Sequence, residues 1–150
     1  MGVGHEDGRK RAGVFLGEYF HSLDEKGRVV LPSSFRRELE KGCVVAKGRD
    51  GQLMIYGVDV FRDMASDVVS QPQDRGGRQF SRTVFAGADH QDLDKSGRVL
   101  VKPDLRSFAT LEPGTEIAVL GVYNHIELWE KDRYLTDRAT GDESYVDEED

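Results

Sequence analysis

Leu23-Asp24-Glu25-Lys26-Gly27-Arg28-Val29 is answered 70 residues later by Leu93-Asp94-Lys95-Ser96-Gly97-Arg98-Val99. Each stretch reads as a tight turn between two strands. Aspartate at such a turn accepts hydrogen bonds from the backbone N–H groups that follow it. Glycine supplies the left-handed backbone that reverses the chain, so Gly27 and Gly97 are expected at positive φ. Arg28 and Arg98 begin the outgoing strands, with Val29 and Val99 beside them facing a core. Lys26 and Lys95 are displayed at or near the loop.

Outward from these turns the agreement continues. At a shift of 70, Phe15 falls on Phe85, Gly17 on Gly87 and Arg36 on Arg106, and eight of the 22 positions from 15 to 36 are identical. At a shift of 73, Leu53, Ile55, Tyr56, Asp59 and Phe61 meet Ile126, Leu128, Trp129, Asp132 and Tyr134, and the three extra residues are expected in the intervening loop. An ordered set of matches on this scale marks an internal duplication. Each half is expected to run strand, turn, strand, short helix, two strands and longer helix. In the first half these are a strand over 15–23, the turn 24–27, a strand over 28–31 stopped by Pro32, and a short helix to about Glu40. Strands over 43–47 and 52–56 and a helix over 59–69 follow, the helix carrying Val60, Phe61, Met64, Val68 and Val69 on one face. Residues 71–77 have the composition of a linker, and a helical stretch over 78–85 leads back into strand. The boundaries expected are an extension over 1–14, a first half with its linker over 15–77, a second half over 78–136 and an acidic tail over 137–150.

Net charge is −7, which taken whole argues against a polyanionic partner. The charge is uneven, however. Residues 137–150 hold seven acids against one base, Arg138, so the chain before them carries about −1. That acidic end is polar and poor in core formers, and is read as a disordered, solvated tail. Met1 to Val14 is likewise read as disordered. Its cluster Arg9-Lys10-Arg11 is either a DNA-touching arm or a piece outside a natural start at Val14. No apolar run approaches the roughly 20 residues of a membrane helix, and the first residues lack a signal-peptide core. A single cysteine, Cys43, lies in an apolar run and reads as a buried structural thiol. The expectation is a cytoplasmic protein.

Sharper chemistries fail on the residues. Asp92-x-Asp94-x-Ser96-Gly97 resembles the opening of a calcium loop, but the twelfth position, which needs a bidentate glutamate, is Pro103. The four histidines show no metal-ligand spacing, and one cysteine cannot build a zinc site. Phosphate-loop and nucleophile-elbow patterns are absent. No enzyme, cofactor, metal or small-molecule substrate is indicated. What remains is the arginine and lysine placement. Asp24 and Asp94 are read as turn braces. Arg28 and Arg98 either brace with them or offer a planar two-pronged contact to phosphate or a guanine edge. Arg36 and Arg106 extend each cluster onto the next helix as candidate phosphate contacts.

The duplicated Leu-Asp-x-x-Gly-Arg-Val, with the following Leu31-Pro32-Ser33-Ser34-Phe35-Arg36, resembles the swapped-hairpin DNA-binding domains of the AbrB and SpoVT type. Two copies in one chain, the Phe15-Leu16-Gly17 start and the late Ile126-Glu127-Leu128-Trp129 make it similar to the MraZ family, over about Phe15 to Asp137. The resemblance implies an α+β fold of two tandem swapped-hairpin, β-rich halves closed as a pseudo-dimer within one chain, with short and longer helices. It further implies a ring-shaped homo-oligomer, nucleoid-associated, that binds G-rich direct repeats in double-stranded promoter DNA upstream of the division and cell-wall genes, usually as a repressor. Arg28 and Arg98 complete the family motif and are the foremost DNA contacts, with Lys26 and Lys95 beside them. Pro103 falls one residue later than Pro32, which leaves the start of the second short helix and the aim of Lys102 open. The competing reading is an antitoxin-like interaction module whose tail, 137–150, engages a partner protein.

Overall fold

Apolar residues set the strands. Cys43-Val44-Val45-Ala46 is apolar at every position, and it forms an inner strand buried at every one of them. The computed structural model describes residues 14–147. Within these, the first half contains β1 (Phe15–Ser22), β2 (Arg28–Val30), α1 (Ser33–Arg36) with a 3-10 turn (Arg37–Leu39), β3 (Cys43–Lys47), β4 (Leu53–Gly57) and α2 (Val58–Val69). The second contains α3 (Arg75–Ser81), a π-helical turn (Arg82–Ala86), β5 (Asp89–Gln91), β6 (Arg98–Leu100), α4 (Pro103–Ala109), β7 (Glu116–Tyr123), β8 (His125–Glu130) and α5 (Lys131–Asp147).

Six strands make one antiparallel sheet in the order β1-β7-β8-β4-β3-β5, and β2 pairs with β6 in a separate two-stranded ladder. Exchanging the halves turns β1 into β5, β3 into β7 and β4 into β8, and the order then reads the same from the other end. The first strand of each half therefore pairs with the third strand of the other, β1 with β7 and β5 with β3. One core results. Val29, Leu31, Phe35, Val45 and Ile55 from the first half join Val99, Val101, Leu105, Val119 and Leu128 from the second in a single buried cluster. Each such side chain contributes about 1.5–3 kcal/mol when buried, and neither half closes that cluster alone. The aromatic pairs repeat as well: Tyr56 meets Phe61 at 5.7 Å between ring centroids, and Trp129 meets Tyr134 at 6.1 Å.

Three expectations need correcting. The 71–77 linker ends early, because Asp74 caps α3 by accepting the Gly77 N–H at 2.8 Å. The helical stretch expected over 78–85 is found, running on through the π turn to Ala86, and Phe85 lies in it. Phe85 packs edge-on to Phe61, whereas Phe15 lies in β1 against Phe35. The three extra residues are not one insertion. The pairings of Phe15 with Tyr123 and of Gln91 with Cys43 put β7 at a shift of 74 from β3, so four residues are gained before β7 and one is lost in the following hairpin. Finally, residues 137–147 are helix rather than disordered tail, although exposed throughout. α5 is tied to β1 through Glu18, which accepts from Tyr134 Oη at 3.0 Å and pairs with Arg138. The readings of residues 1–13 and 148–150 lie outside the described residues.

Candidate nucleic-acid interface

The two turns are built alike. In the first, Asp24 Oδ1 accepts from the backbone N–H of Lys26 at 2.9 Å and of Arg28 at 2.8 Å, while Oδ2 takes the Arg28 Nε–H at 2.9 Å. In the second, Asp94 Oδ1 accepts from Ser96 and Arg98 N–H, both at 2.9 Å, and Oδ2 from Arg98 Nε–H at 2.7 Å. Ser96 thus gives the bond that Lys26 gives, with Lys95 one place earlier; both lysine side chains are exposed. Both carboxyls are held below the usual range. The backbone N–H of the following arginine is the main cause, its guanidinium helps, and partial desolvation opposes. Gly27 and Gly97 stand at φ +80° and +76°.

The fold adds the feature that spacing did not show. Antiparallel pairing of β2 with β6 sets Val29 opposite Val99, both fully buried, and so lays the two turns side by side. Arg28 Nη1 comes within 4.0 Å of Asp94 Oδ2, and Arg98 Nη1 within 3.9 Å of Asp24 Oδ2. The Arg28 and Arg98 side chains remain 27% and 33% exposed. Each guanidinium spends Nε on its brace and keeps its Nη edge without a hydrogen bond among the described residues. Bracing and an open donor edge therefore coexist on one side chain.

Arg36 and Arg106 have a role the sequence concealed. Each is half-buried and donates to the strand before its own helix, Arg36 Nε to Leu31 O at 3.0 Å and Arg106 Nη1 to Val101 O at 2.8 Å. Each also crosses to the other half's turn, Arg106 over Gly27 and Arg36 over Gly97, where a Cβ would collide with the guanidinium. The only hint was that Arg36 and Arg106 share the 70-residue shift of the turns. The displaced proline turns out to matter little. α4 begins at Pro103, the repeat position of Ser33 in α1, so both helices start alike. Lys102 Nζ is held by Asp89 Oδ1 at 2.8 Å. Gln91, unnoticed in the sequence, clamps β6 by bonding both the N–H and the C=O of Leu100 at 2.9 Å.

Six cations (Lys26, Arg28, Arg36, Lys95, Arg98, Arg106) thus gather around the carboxylates Asp24 and Asp94, with Glu25 exposed beside them. Cys43 lies outside this face. It is fully buried, and burial first, then Asp89 and Asp92, pushes its thiol up to about 12.

The family model described as "MraZ protein, putative antitoxin-like" matches residues 14–76 and 84–144, one segment for each half. The chain belongs to the MraZ family. A relative from Finegoldia magna named transcriptional regulator MraZ is 41% identical over 122 residues, covering 81% of this chain and 84% of its own. Another of that name from a Nocardioides species is 42% identical over 121 residues, with 80% and 83% covered. A third from Thermus thermophilus is 38% identical over 120 residues, with 79% and 83% covered. The MraZ relatives are transcriptional regulators by name, and the two segments of the family model take in nearly all of the two halves.

Proposed function

We propose that this chain regulates transcription by binding double-stranded DNA sequence-specifically through its paired Asp-x-x-x-Arg turns. The observation that carries the reading is the juxtaposition of Arg28 and Arg98, one from each half, with open Nη edges on a shared face. Arginine on a rigid turn suits a two-pronged contact to guanine O6 and N7. Lys26 and Lys95 add point charges at the loop tips, and Arg36 and Arg106 hold the turns and offer their remaining N–H groups to phosphate. Asp24, Gly27, Asp94 and Gly97 form the structural scaffold. The exchange of β1 and β5 between halves supports two swapped-hairpin units of the AbrB and SpoVT type, closed as a pseudo-dimer within one chain. The natural operators on this reading are G-rich direct repeats upstream of the division and cell-wall genes, bound as a nucleoid-associated repressor. A single pair of turns on a chain without net positive charge binds weakly and with strong salt dependence. A ring of several copies on tandem repeats raises affinity through effective concentration.

The test is a gel shift on the DNA directly upstream of the gene, across a salt series. Arg28→Ala abolishes binding while the oligomer elutes unchanged, and Arg98→Ala weakens it. Unchanged operator affinity of Arg28→Ala at matched salt refutes the assignment. A second reading, an antitoxin-like module, draws on the family's description and on Tyr145 and Val146, which are 78% and 67% exposed on α5. Co-purification of a partner that depends on residues 137–147, without DNA binding, favours it.

A further inference from the structure

The two ends of the six-stranded sheet do not match. β1 pairs all eight of its residues with β7, whereas β5 pairs only three with β3. Where the second half lacks strand, the chain runs helically from Arg75 to Ala86. One face of this stretch is apolar: Phe80 and Val84 line a cavity with Met54, Met64 and Val68, and the Arg49 guanidinium lies 4.5 Å from the Phe80 ring centroid. The opposite face carries Arg75, Arg78 and Arg82, spaced i, i+3 and i+7 and therefore on one side of the helix. All three are exposed, and no acid occurs from Arg75 to Ala88. Arg78 Nη1 donates to Gln73 O at 2.9 Å. Arg75 and Arg82 make no side-chain hydrogen bond or ion pair among the described residues.

The Arg82 end of this stripe lies near the first turn. Arg82 shares a cleft with Lys47, Lys102 and Asp104. Lys102 follows Val101, whose N–H bonds Gly27 O at 2.7 Å, so the cleft lies next to the Lys26-Gly27 turn. Asp89 offsets the charge of Lys102, while the Lys47 Nζ lies 5.5 Å from the Phe108 ring centroid. Among the described residues the second turn has no such stripe; the positions 70 residues before Arg75–Arg82 are 5–12, which lie outside them and carry Arg9, Lys10 and Arg11. Pro32 holds the repeat position of Lys102, following Leu31, whose N–H bonds Gly97 O at 3.1 Å. Gly121 stands where the 74-residue shift places the counterpart of Lys47, packed against the β1 backbone at Phe15 and Leu16.

We propose that Arg75, Arg78 and Arg82, with Lys47 beside Arg82, form a track for the DNA phosphate backbone that flanks the first turn. The proposal rests on the DNA-binding reading above and adds a phosphate-contacting surface to it. Phosphate contacts fix register and orientation while base contacts specify sequence, so a track beside the first turn anchors the duplex on that turn's side. From Arg75 to Arg82 the helix advances about 10 Å, the length of about three base-pair rises of 3.4 Å along the duplex axis.

The experiment uses the full chain and a duplex from directly upstream of the gene, with a scrambled duplex beside it. The triple variant Arg75→Gln, Arg78→Gln, Arg82→Gln gives a log K against log salt slope shallower by about 2.7, and affinity about a hundredfold weaker at 0.15 M salt. The ratio of operator to scrambled affinity stays as in wild type. Hydroxyl-radical protection is lost on one flank of the site, and the triple Lys variant at the same positions restores the slope. Arg82→Gln alone lowers the slope by about 0.9. An unchanged slope in both glutamine variants, or protection lost equally on both flanks, overturns the track while leaving the turns as readers. Wild type that shows no preference for its upstream duplex overturns the DNA-binding reading, and the track with it.

Discussion

Replacing Gly27 by alanine separates two costs that the structure assigns to one residue. Gly27 stands at φ +80°, where an L side chain costs about 1–2 kcal/mol. Its missing Cβ is also the space occupied by the Arg106 guanidinium, which donates to Val101 O at 2.8 Å. A methyl group there pushes Arg106 away and breaks a hydrogen bond from a charged donor, a further loss of about 1.5–3 kcal/mol. Gly27→Ala is thus expected to destabilise by about 2.5–5 kcal/mol in urea unfolding followed by circular dichroism. Gly114→Ala is the control for the backbone cost alone. Gly114 stands at φ +88° with nothing within 4 Å of its Cβ position, so about 1–2 kcal/mol is expected. In an Arg106→Ala background the second cost has already been incurred, and Gly27→Ala then resembles Gly114→Ala. The coupling in that cycle is about 1.5–3 kcal/mol. Equal costs for Gly27→Ala and Gly114→Ala, or strict additivity with Arg106→Ala, refute the cross-half contact.

Two further outcomes follow from other parts of the molecule. Gly141 lies within α5 with open space at its Cβ position, so Gly141→Ala stabilises that helix by about 0.8–1 kcal/mol. Slower amide exchange over residues 137–147 reports the gain, and unchanged exchange there means the segment is not helical in solution. Acid titration probes the turns. Asp24, Asp94 and Glu127 all have depressed folded-state values; for Glu127, burial pushes up, but bonds from His125, Trp129 and Gln52 outweigh it. The unfolded chain binds these protons first, near pH 4, so their stability is present above that pH and is lost as pH falls through it toward the folded values. The urea midpoint therefore drops between about pH 5 and 3, and the drop is smaller in Asp24→Asn with Asp94→Asn. A double variant with an unaltered pH profile removes the turn carboxylates from the account.

The sequence displayed whatever depends on local pattern. Asp24 and Asp94 brace turns because aspartate, glycine and arginine at those spacings close a local hydrogen-bonded ring, and nothing distant competes with it. The β3 span was legible for the same reason, being apolar at four successive positions. What stayed hidden was long-range. Pairing of β2 with β6, the approach of Arg28 to Asp94, and the crossing of Arg106 to Gly27 each join residues far apart in the chain, and no single-chain periodicity encodes them. Phe85 shows that repetition of a residue is not repetition of its structure. The aromatic residue repeats Phe15, but Asp74 starts a helix upstream of it, and the helical stretch expected over 78–85 runs on through Arg82–Ala86. The tail was misjudged because its composition suits solvent, whereas Tyr134 and Arg138 anchor it to Glu18.

That anchoring also resolves how a chain of net charge −7 can face a polyanion. Lys131, at the start of α5, bonds Glu116, whose strand partner Ser22 lies two residues before Asp24. Arg138, further along the helix, reaches Glu18, which is further from the turn along β1. The helix therefore runs away from the Asp24 turn as it becomes acidic. Asp142 comes 11 residues after Lys131, about 17 Å along the axis. At physiological salt, charge is screened beyond about 8 Å, so Asp142, Glu143 and Asp147 contribute little to the potential at the turns. On the DNA-binding reading proposed above, the charge a duplex meets at the turns is set more by Lys26, Arg28, Lys95, Arg98 and their neighbours than by these acids.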